Sequence, residues 1–266
     1  MEQNAIVFDI ETKHTFDEVG GYEFRDRLGV SYVGVYSYKQ DRYFGFFEEE
    51  VDKLQTIMRT EKPLLIGFNS IHFDNEVLQP YFKDLDLRTL PHIDMLKEVE
   101  KELGHRLKLD SLAQTTLGYG KSGDGLDAVR WFRQGKLEEL AQYCIDDVAI
   151  TKEVYEFGYR HGELYYMTGG QKTAVRASWA GERTIPQVVN EAWKKHGQLR
   201  IEYININPTS GEREGLLPMT IDLLDVVNEH LDVFYVEKQE KIKIDRRLIW
   251  SIEDTGETSA HQSALF

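Results

Sequence analysis

The stretch "AIVFDIETK", residues 5–13, decides the fold: an apolar run ends in two carboxylates set two positions apart. Side chains of a strand alternate between its faces, so Asp9 and Glu11 share one face while Phe8 and Ile10 share the other. Two carboxylates converging beside a hydrophobic segment repel each other unless a cation sits with them. A strand that simply ends in solvent is the plain alternative, and for a lone D-x-E in an acidic chain it is the commoner one. The choice turns on where the next carboxylates fall.

Outward from that strand, the pattern alternates strands and helices up to about residue 160 and then becomes mostly β. "NAIVFDI" reads as a central first strand, "VSYVGVYSY" and "RYFGFF" as a hairpin, and "EEEVDKLQTIMR" as a helix. "PLLIGFN" reads as a short buried strand, "FDNEVLQPYF" as a helix, and "TLPHID" as an extended piece. Helices follow at "HIDMLKEVEKEL" and "LDSLAQTTL", then a polar loop "GYGKSGDG" at 118–125 and a small helix around Trp131. A long helix from near Lys136 is expected to close at Gly158, as a C-terminal glycine would. The expectation is a mixed α/β sheet flanked by helices.

The long helix carries Tyr143 and Asp147, four apart and so on one face. Asp74 stands at a strand-to-helix corner in "GFNSIHFDNEV", where an N-cap aspartate is the ordinary reading. Each pattern alone is weak. Asp94, in "HIDML", and Asp110 precede helices and read as their caps, Asp146 as a solvated helix residue, and His72 as an exposed loop histidine. Cys144 reads as a small packing residue, and Phe73 as core. Trp131 is evenly balanced between core and a base-stacking platform. Lys121 and Arg130, flanking the polar loop, are candidates for phosphate contacts.

Taken together and in order, "FDIET", "NSIHFD" and "YCIDD" resemble the motifs of the DEDD superfamily of 3′–5′ exonucleases, which has an RNase H-like fold. The resemblance covers residues 5 to about 158. A sister branch places histidine five residues before the last aspartate; Gln142 stands there, so the pattern is similar to the tyrosine (DEDDy) branch. "LDSLAQTTLG" and "YCIDDV" resemble the exonuclease domain of family B DNA polymerases, and "KSGDGLDAVRWF" its stand-alone or helicase-linked bacterial relatives more closely. The resemblance implies a metal-dependent 3′–5′ exonuclease acting on single-stranded nucleic acid, DNA rather than RNA, with a helicase or repair partner. Asp9, Glu11, Asp74 and Asp147 would hold two Mg²⁺ or Mn²⁺ ions, with Asp9 bridging, and Tyr143 would orient the attacking water. Thr12 and Asn69 would touch the nucleic acid. The residue types suit that chemistry, because hard divalent cations prefer carboxylate oxygens. The rival reading is a non-catalytic nucleic-acid binder or sensor that keeps the fold as a scaffold; the intact set of five residues speaks against it.

The chain has 266 residues and a formal net charge of −14, which argues against nonspecific coating of nucleic acid through a basic surface and leaves room for a local basic groove. One cysteine excludes an internal disulfide framework and fits a reducing cytoplasm; no signal peptide or spanning helix is expected. The domain expectation is 1–180 for the exonuclease domain, including a hairpin at 163–180 that turns at Gly169 and Gly170, a linker at 181–187, and 187–266 for a small SH3-like β-barrel. A helix from near Pro186, followed by short strands, weakly resembles the WYL domain. Tyr203, Arg246 and Arg247 are its candidate ligand or nucleic-acid contacts, against the equal alternative of a strand tyrosine and exposed arginines.

Overall fold

The computed structural model describes residues 4–120, 125–207, 209–211 and 213–261. Two compact units divide the chain: residues 1–158 with 163–179, and residues 159–162 with 180–266.

In the first unit, β1 (Ala5–Thr12) is the central strand of a five-stranded sheet, as its apolar run requires. A short helix α1 (Phe16–Val19) follows, then β2 (Val30–Ser37) and β3 (Arg42–Phe47), the helix α2 (Val51–Glu61) and β4 (Leu64–Gly67). After α3 (Asp74–Leu78) come β5 (His92–Asp94), α4 (Met95–Leu103), α5 (Leu109–Leu117), α6 (Gly125–Arg133) and α7 (Leu137–His161). The sheet order is β3-β2-β1-β4-β5, with β1, β2 and β3 antiparallel and β1, β4 and β5 parallel. This is the expected mixed sheet.

Alternation sorts the two faces of β1. Ile6, Phe8 and Ile10 pack with Val33, Val35, Leu54, Met58, Val77 and Leu78 in one core. On the other face Asp9 pairs with Gly34 and Glu11 with Tyr32, and Tyr32 belongs to a second cluster with Leu140, Tyr143 and Cys144 of α7 and Ala128 of α6. The carboxylates therefore lie on the face that α7 covers. Pairing of β1 with β4 spans only Ala5–Val7.

Three local expectations need correction. The helix at "FDNEVLQPYF" is α only over Asp74–Leu78 and continues as a 3₁₀ turn, Gln79–Tyr81, because Pro80 has no N–H for an α-helical bond. The N-cap of α5 is Lys108, which puts Asp110 inside the first turn. The long helix does not stop at Gly158: it runs to His161, and Gly162, at φ 78°, is the first left-handed residue beyond it. Gly158 answers to packing instead, since a β-carbon there would lie 2.8 Å from the Trp179 indole. The hairpin β6 (Glu163–Thr168) and β7 (Gln171–Arg176) turns through Gly169 and Gly170, both at positive φ, as a two-residue hairpin turn demands.

In the second unit, α8 (Ile185–Lys195) opens with Pro186 in its first turn and a capping box between Thr184 and Gln187. The strands β8 (Gly197–Ile206), β9 (Arg213–Val227), β10 (His230–Tyr235), β11 (Glu240–Asp245) and β12 (Ile249–Thr258) form one antiparallel sheet in the order β11-β10-β9-β8-β12. A 3₁₀ turn, Arg246–Leu248, joins its two edge strands. Its core gathers Val188, Val189, Leu199, Ile221, Leu231 and Val233. This fits the small β domain expected.

Candidate metal centre

β1 brings Glu11, 7% exposed, and half-buried Asp9 to the mouth of a cleft of about 360 Å³. Its wall takes Asp9, Glu11 and Thr12 from β1, Tyr143 and Asp147 from α7, and Phe16, Phe73 and Leu126 as an apolar rim. Three of the four expected carboxylates and the tyrosine thus share one cavity. Cys144 lies within reach as well: single ligand atoms of Asp9, Glu11 and Cys144 all fall within 4.8 Å of one another. The thiol donates to the Asp9 backbone oxygen at 3.5 Å. Burial first, then the charges of Asp9, Glu11 and Asp147, push its pKa up, which favours the neutral thiol beside these carboxylates.

Asp74 is enclosed, 3% exposed, and the cleft wall at this point is its neighbour Phe73. It does not cap its helix; Phe73 occupies the N-cap position and Asp74 is the first helical residue. Burial and then the charge of Asp9 hold its carboxyl well above the usual carboxylate range, with Asp94 adding to the effect and the Ile10 backbone N–H opposing it. Among the described residues its Oδ1 is buried without a hydrogen-bond partner. A buried carboxylate oxygen that lacks a donor and repels a second carboxylate is costly unless a cation compensates it. The oxygen donor set is that of a hard divalent ion, so these residues fit Mg²⁺ or Mn²⁺.

Tyr143 is 5% exposed, and its ring meets the edge of Trp131 with centroids 5.5 Å apart. Trp131 is therefore half-buried packing for Tyr143. Asp146 is exposed and accepts a hydrogen bond from Gln142, and His72 is exposed.

The remaining candidates fall outside the cleft. Asn69, left-handed at φ 68°, spends its side-chain oxygen on Arg106 at 2.6 Å. Arg130 is exposed and pairs with Asp127 at 2.6 Å. Lys121 lies outside the described residues. In the second unit, Arg247 pairs with Asp245 and with Glu229, Tyr203 Oη accepts from the Asp245 backbone N–H at 3.3 Å, and the Arg246 N–H donates to the Glu229 oxygen. Sequence reasoning missed Phe16 and Leu126 in the cleft wall and Arg106 beside Asn69. Phe16 and Leu126 are exposed large hydrophobics beside motif residues, and only the folded chain brings them together.

A family model described as the RNase H superfamily matches residues 6–159, which include every cleft-lining residue. The chain belongs to the RNase H superfamily. Members of the RNase H superfamily are commonly hydrolytic nucleases that use divalent metals. No curated protein matches the chain. The solved structure of proteasome accessory factor B/C (PafBC) of Arthrobacter aurescens is similar over 59% of this chain, at 14% identity and a TM-score of 0.25. The present chain spans 21% of that one. Among the described residues no helix is long and apolar enough to cross a membrane.

Proposed function

We propose that the chain is a 3′–5′ exonuclease of the tyrosine branch of the DEDD superfamily, hydrolysing phosphodiesters of single-stranded DNA and releasing nucleoside 5′-monophosphates. The observation that carries this reading is the meeting of Asp9, Glu11, Tyr143 and Asp147 in one cleft, beside an Asp74 whose buried Oδ1 has no hydrogen-bond partner among the described residues.

Asp9, Glu11, Asp74 and Asp147 would hold two Mg²⁺ or Mn²⁺ ions. When bound, such a pair supplies positive charge to the attacking and leaving oxygens of an in-line displacement. Tyr143, held by the Trp131 edge, orients the attacking water through its hydroxyl. A phenol with a reference pKa of about 10 serves there as a hydrogen-bonding group and not as the base. Phe16, Phe73 and Leu126 offer apolar surface against which a terminal base stacks, and stacking of this kind tolerates any base.

The division of labour we propose gives chemistry to 1–180 and gives 187–266, as a WYL-like module, the choice of substrate or of a helicase or repair partner. Every proposed ligand lies in the first unit. The buried thiol of Cys144 suits a reducing cytoplasm. The test is direct. A 5′-labelled DNA strand incubated with protein and Mn²⁺ shortens as a ladder from the 3′ end, stays intact with EDTA, and resists when its 3′ end is blocked. An RNA strand run in parallel settles sugar preference. Equal attack on a circular strand would overturn the reading in favour of an endonuclease, and no attack on any strand would favour a binding protein.

A further inference from the structure

We infer that Asp94 is the positioning residue for Asp74, clamping the loop that delivers it and thereby setting divalent-cation affinity; the inference rests on the exonuclease reading above. Asp94 is 3% exposed at the end of β5. Its Oδ1 accepts from the backbone N–H groups of Leu96 at 3.1 Å and Lys97 at 3.4 Å, which is ordinary capping of α4. Capping needs one oxygen. The same Oδ1 also accepts from the Asn69 N–H at 2.8 Å, and Oδ2 accepts from the Ile71 N–H at 3.0 Å, in a segment more than twenty residues earlier.

That segment is the sharp corner after β4. Asn69 is left-handed, its carbonyl accepts from Phe73 N–H at 3.0 Å, and the Ser70 carbonyl accepts from Asn75 N–H at 2.9 Å. Asp74 follows directly. At the other end of β5, His92 holds the far side: its Nε2 meets Asn75 Nδ2 at 2.8 Å while Nδ1 faces the Leu90 carbonyl. Burial keeps that imidazole's pKa low, hence neutral, with Nδ1 donating to Leu90 and Nε2 accepting from Asn75. The two ends of β5 thus grip the chain on both sides of Asp74.

A carboxylate is suited to this clamp because it is acceptor-only and has sites for about four donors. The choice is made against electrostatics, since the Asp94 charge raises the Asp74 pKa. Among the described residues Asp74 Oδ1 has no hydrogen-bond partner, so, apart from the Ile10 backbone N–H, its place is set by its own backbone. Loosening that backbone should lower affinity for the cation without touching the cation's own ligands.

The test uses the full chain and three variants. Asp94→Ser keeps a capping hydroxyl for α4 and lacks the second oxygen for Ile71. Asp94→Asn keeps the shape and turns an amide toward the Ile71 N–H. Asp74→Ala is the ligand-loss reference. Mn²⁺ affinity is measured by calorimetry on the purified protein, and kcat and KM on a 5′-labelled oligonucleotide. Asp94→Ser should weaken Mn²⁺ binding and lower kcat by about 10–100-fold, as loss of a group that orients a ligand does, with KM changed by less than about threefold. Wild-type Mn²⁺ affinity and kcat in Asp94→Ser, with both lost in Asp74→Ala, would overturn the clamp and leave the exonuclease reading standing. Unchanged Mn²⁺ binding in Asp74→Ala would overturn both. Should the serine variant fail to fold, Asp94→Asn carries the same expectations. In the wild-type protein, the amide hydrogens of Asn69 and Ile71 should exchange slowly; exchange at the rate of an open loop would refute the clamp without any variant.

Discussion

Gly34 of β2 and Cys144 of α7 meet so closely that a β-carbon at position 34 would stand 3.0 Å from the Cys144 sulfur and 3.2 Å from its carbonyl oxygen. Gly34 is also the cross-strand partner of Asp9. The missing side chain lets α7 settle onto the sheet beside the first carboxylate, so that Tyr143 and Asp147 reach the cleft that Asp9 and Glu11 line.

Gly34→Ala should therefore harm the site more than the fold. Overpacking costs about 1–3 kcal/mol, offset by about 0.4–1 kcal/mol from a stiffer unfolded chain. Thermal unfolding should show a small loss, on the order of 1–2 kcal/mol. Turnover should fall on the order of tenfold or more, because small displacements of positioned groups are expensive. Wild-type turnover in a variant of lowered stability would mean that the approach of α7 does not set the cleft.

Asp74 makes the metal-free protein sensitive to pH. Its carboxyl is held well above the usual range by burial and by Asp9. The folded state thus keeps a proton that the unfolded chain sheds above a pKa of about 3.9, so this group's contribution to stability falls as pH rises from there through the folded value. In EDTA, Asp74→Asn should flatten that decline and melt at or above the wild type at pH 7. With Mn²⁺ the order should reverse, because the wild type gains stability by binding the ion and the variant gains less. Neither Asp74→Asn nor Asp9→Ala should hydrolyse DNA. Full activity in either would remove the proposed site.

The sheet, and the meeting of Asp9, Glu11, Tyr143 and Asp147 in one cleft, were legible in the sequence because their signals are local: an alternating strand that ends in D-x-E, and a tyrosine and an aspartate one helical turn apart. What the sequence concealed depends on contacts between distant segments. Asp94 looks like a helix cap, and it is one, but its second oxygen serves Ile71. Asp74 also looks like a cap, yet Phe73 holds the N-cap position and Asp74 is the first helical residue. Gly158 looks like a helix stop because the residue that needs the space, Trp179, comes 21 positions later.

Gly158 sets two effects against each other. Inside an exposed helix, Gly→Ala stabilises by about 0.8–1 kcal/mol. Here the new methyl would lie 2.8 Å from three atoms of a Trp179 ring whose Nε1 donates to the Tyr155 carbonyl at 2.9 Å and which stacks on the Tyr155 ring. An indole held by a hydrogen bond and 7% exposed has nowhere to yield. Overpacking of about 1–3 kcal/mol should win. Gly158→Ala should melt lower than the wild type and shift the tryptophan fluorescence. A higher melting temperature would restore the helix-end interpretation of this glycine.

The last prediction separates the two units. Each has its own hydrophobic core, one around Phe8 and Val33 and the other around Val189 and Ile221, and every proposed metal ligand lies in the first. A chain ending after Ala180 keeps the hairpin of β6 and β7 and keeps Trp179, so the apolar surface that Tyr165, Tyr166 and Trp179 bury stays covered. Its turnover on a short oligonucleotide should match that of the full chain. Affinity for longer strands is the discriminating measurement. Arg247 is committed to Asp245 and Glu229, so a phosphate contact through it requires its release from that pair. If the second unit makes phosphate contacts, truncation weakens binding and flattens the salt dependence in proportion to the phosphates no longer neutralised. If affinity and salt slope are unchanged, the β domain docks a protein partner instead. A truncated chain that remains folded by circular dichroism yet cannot cleave the shortest substrates would place part of the active site beyond residue 180 and refute the division.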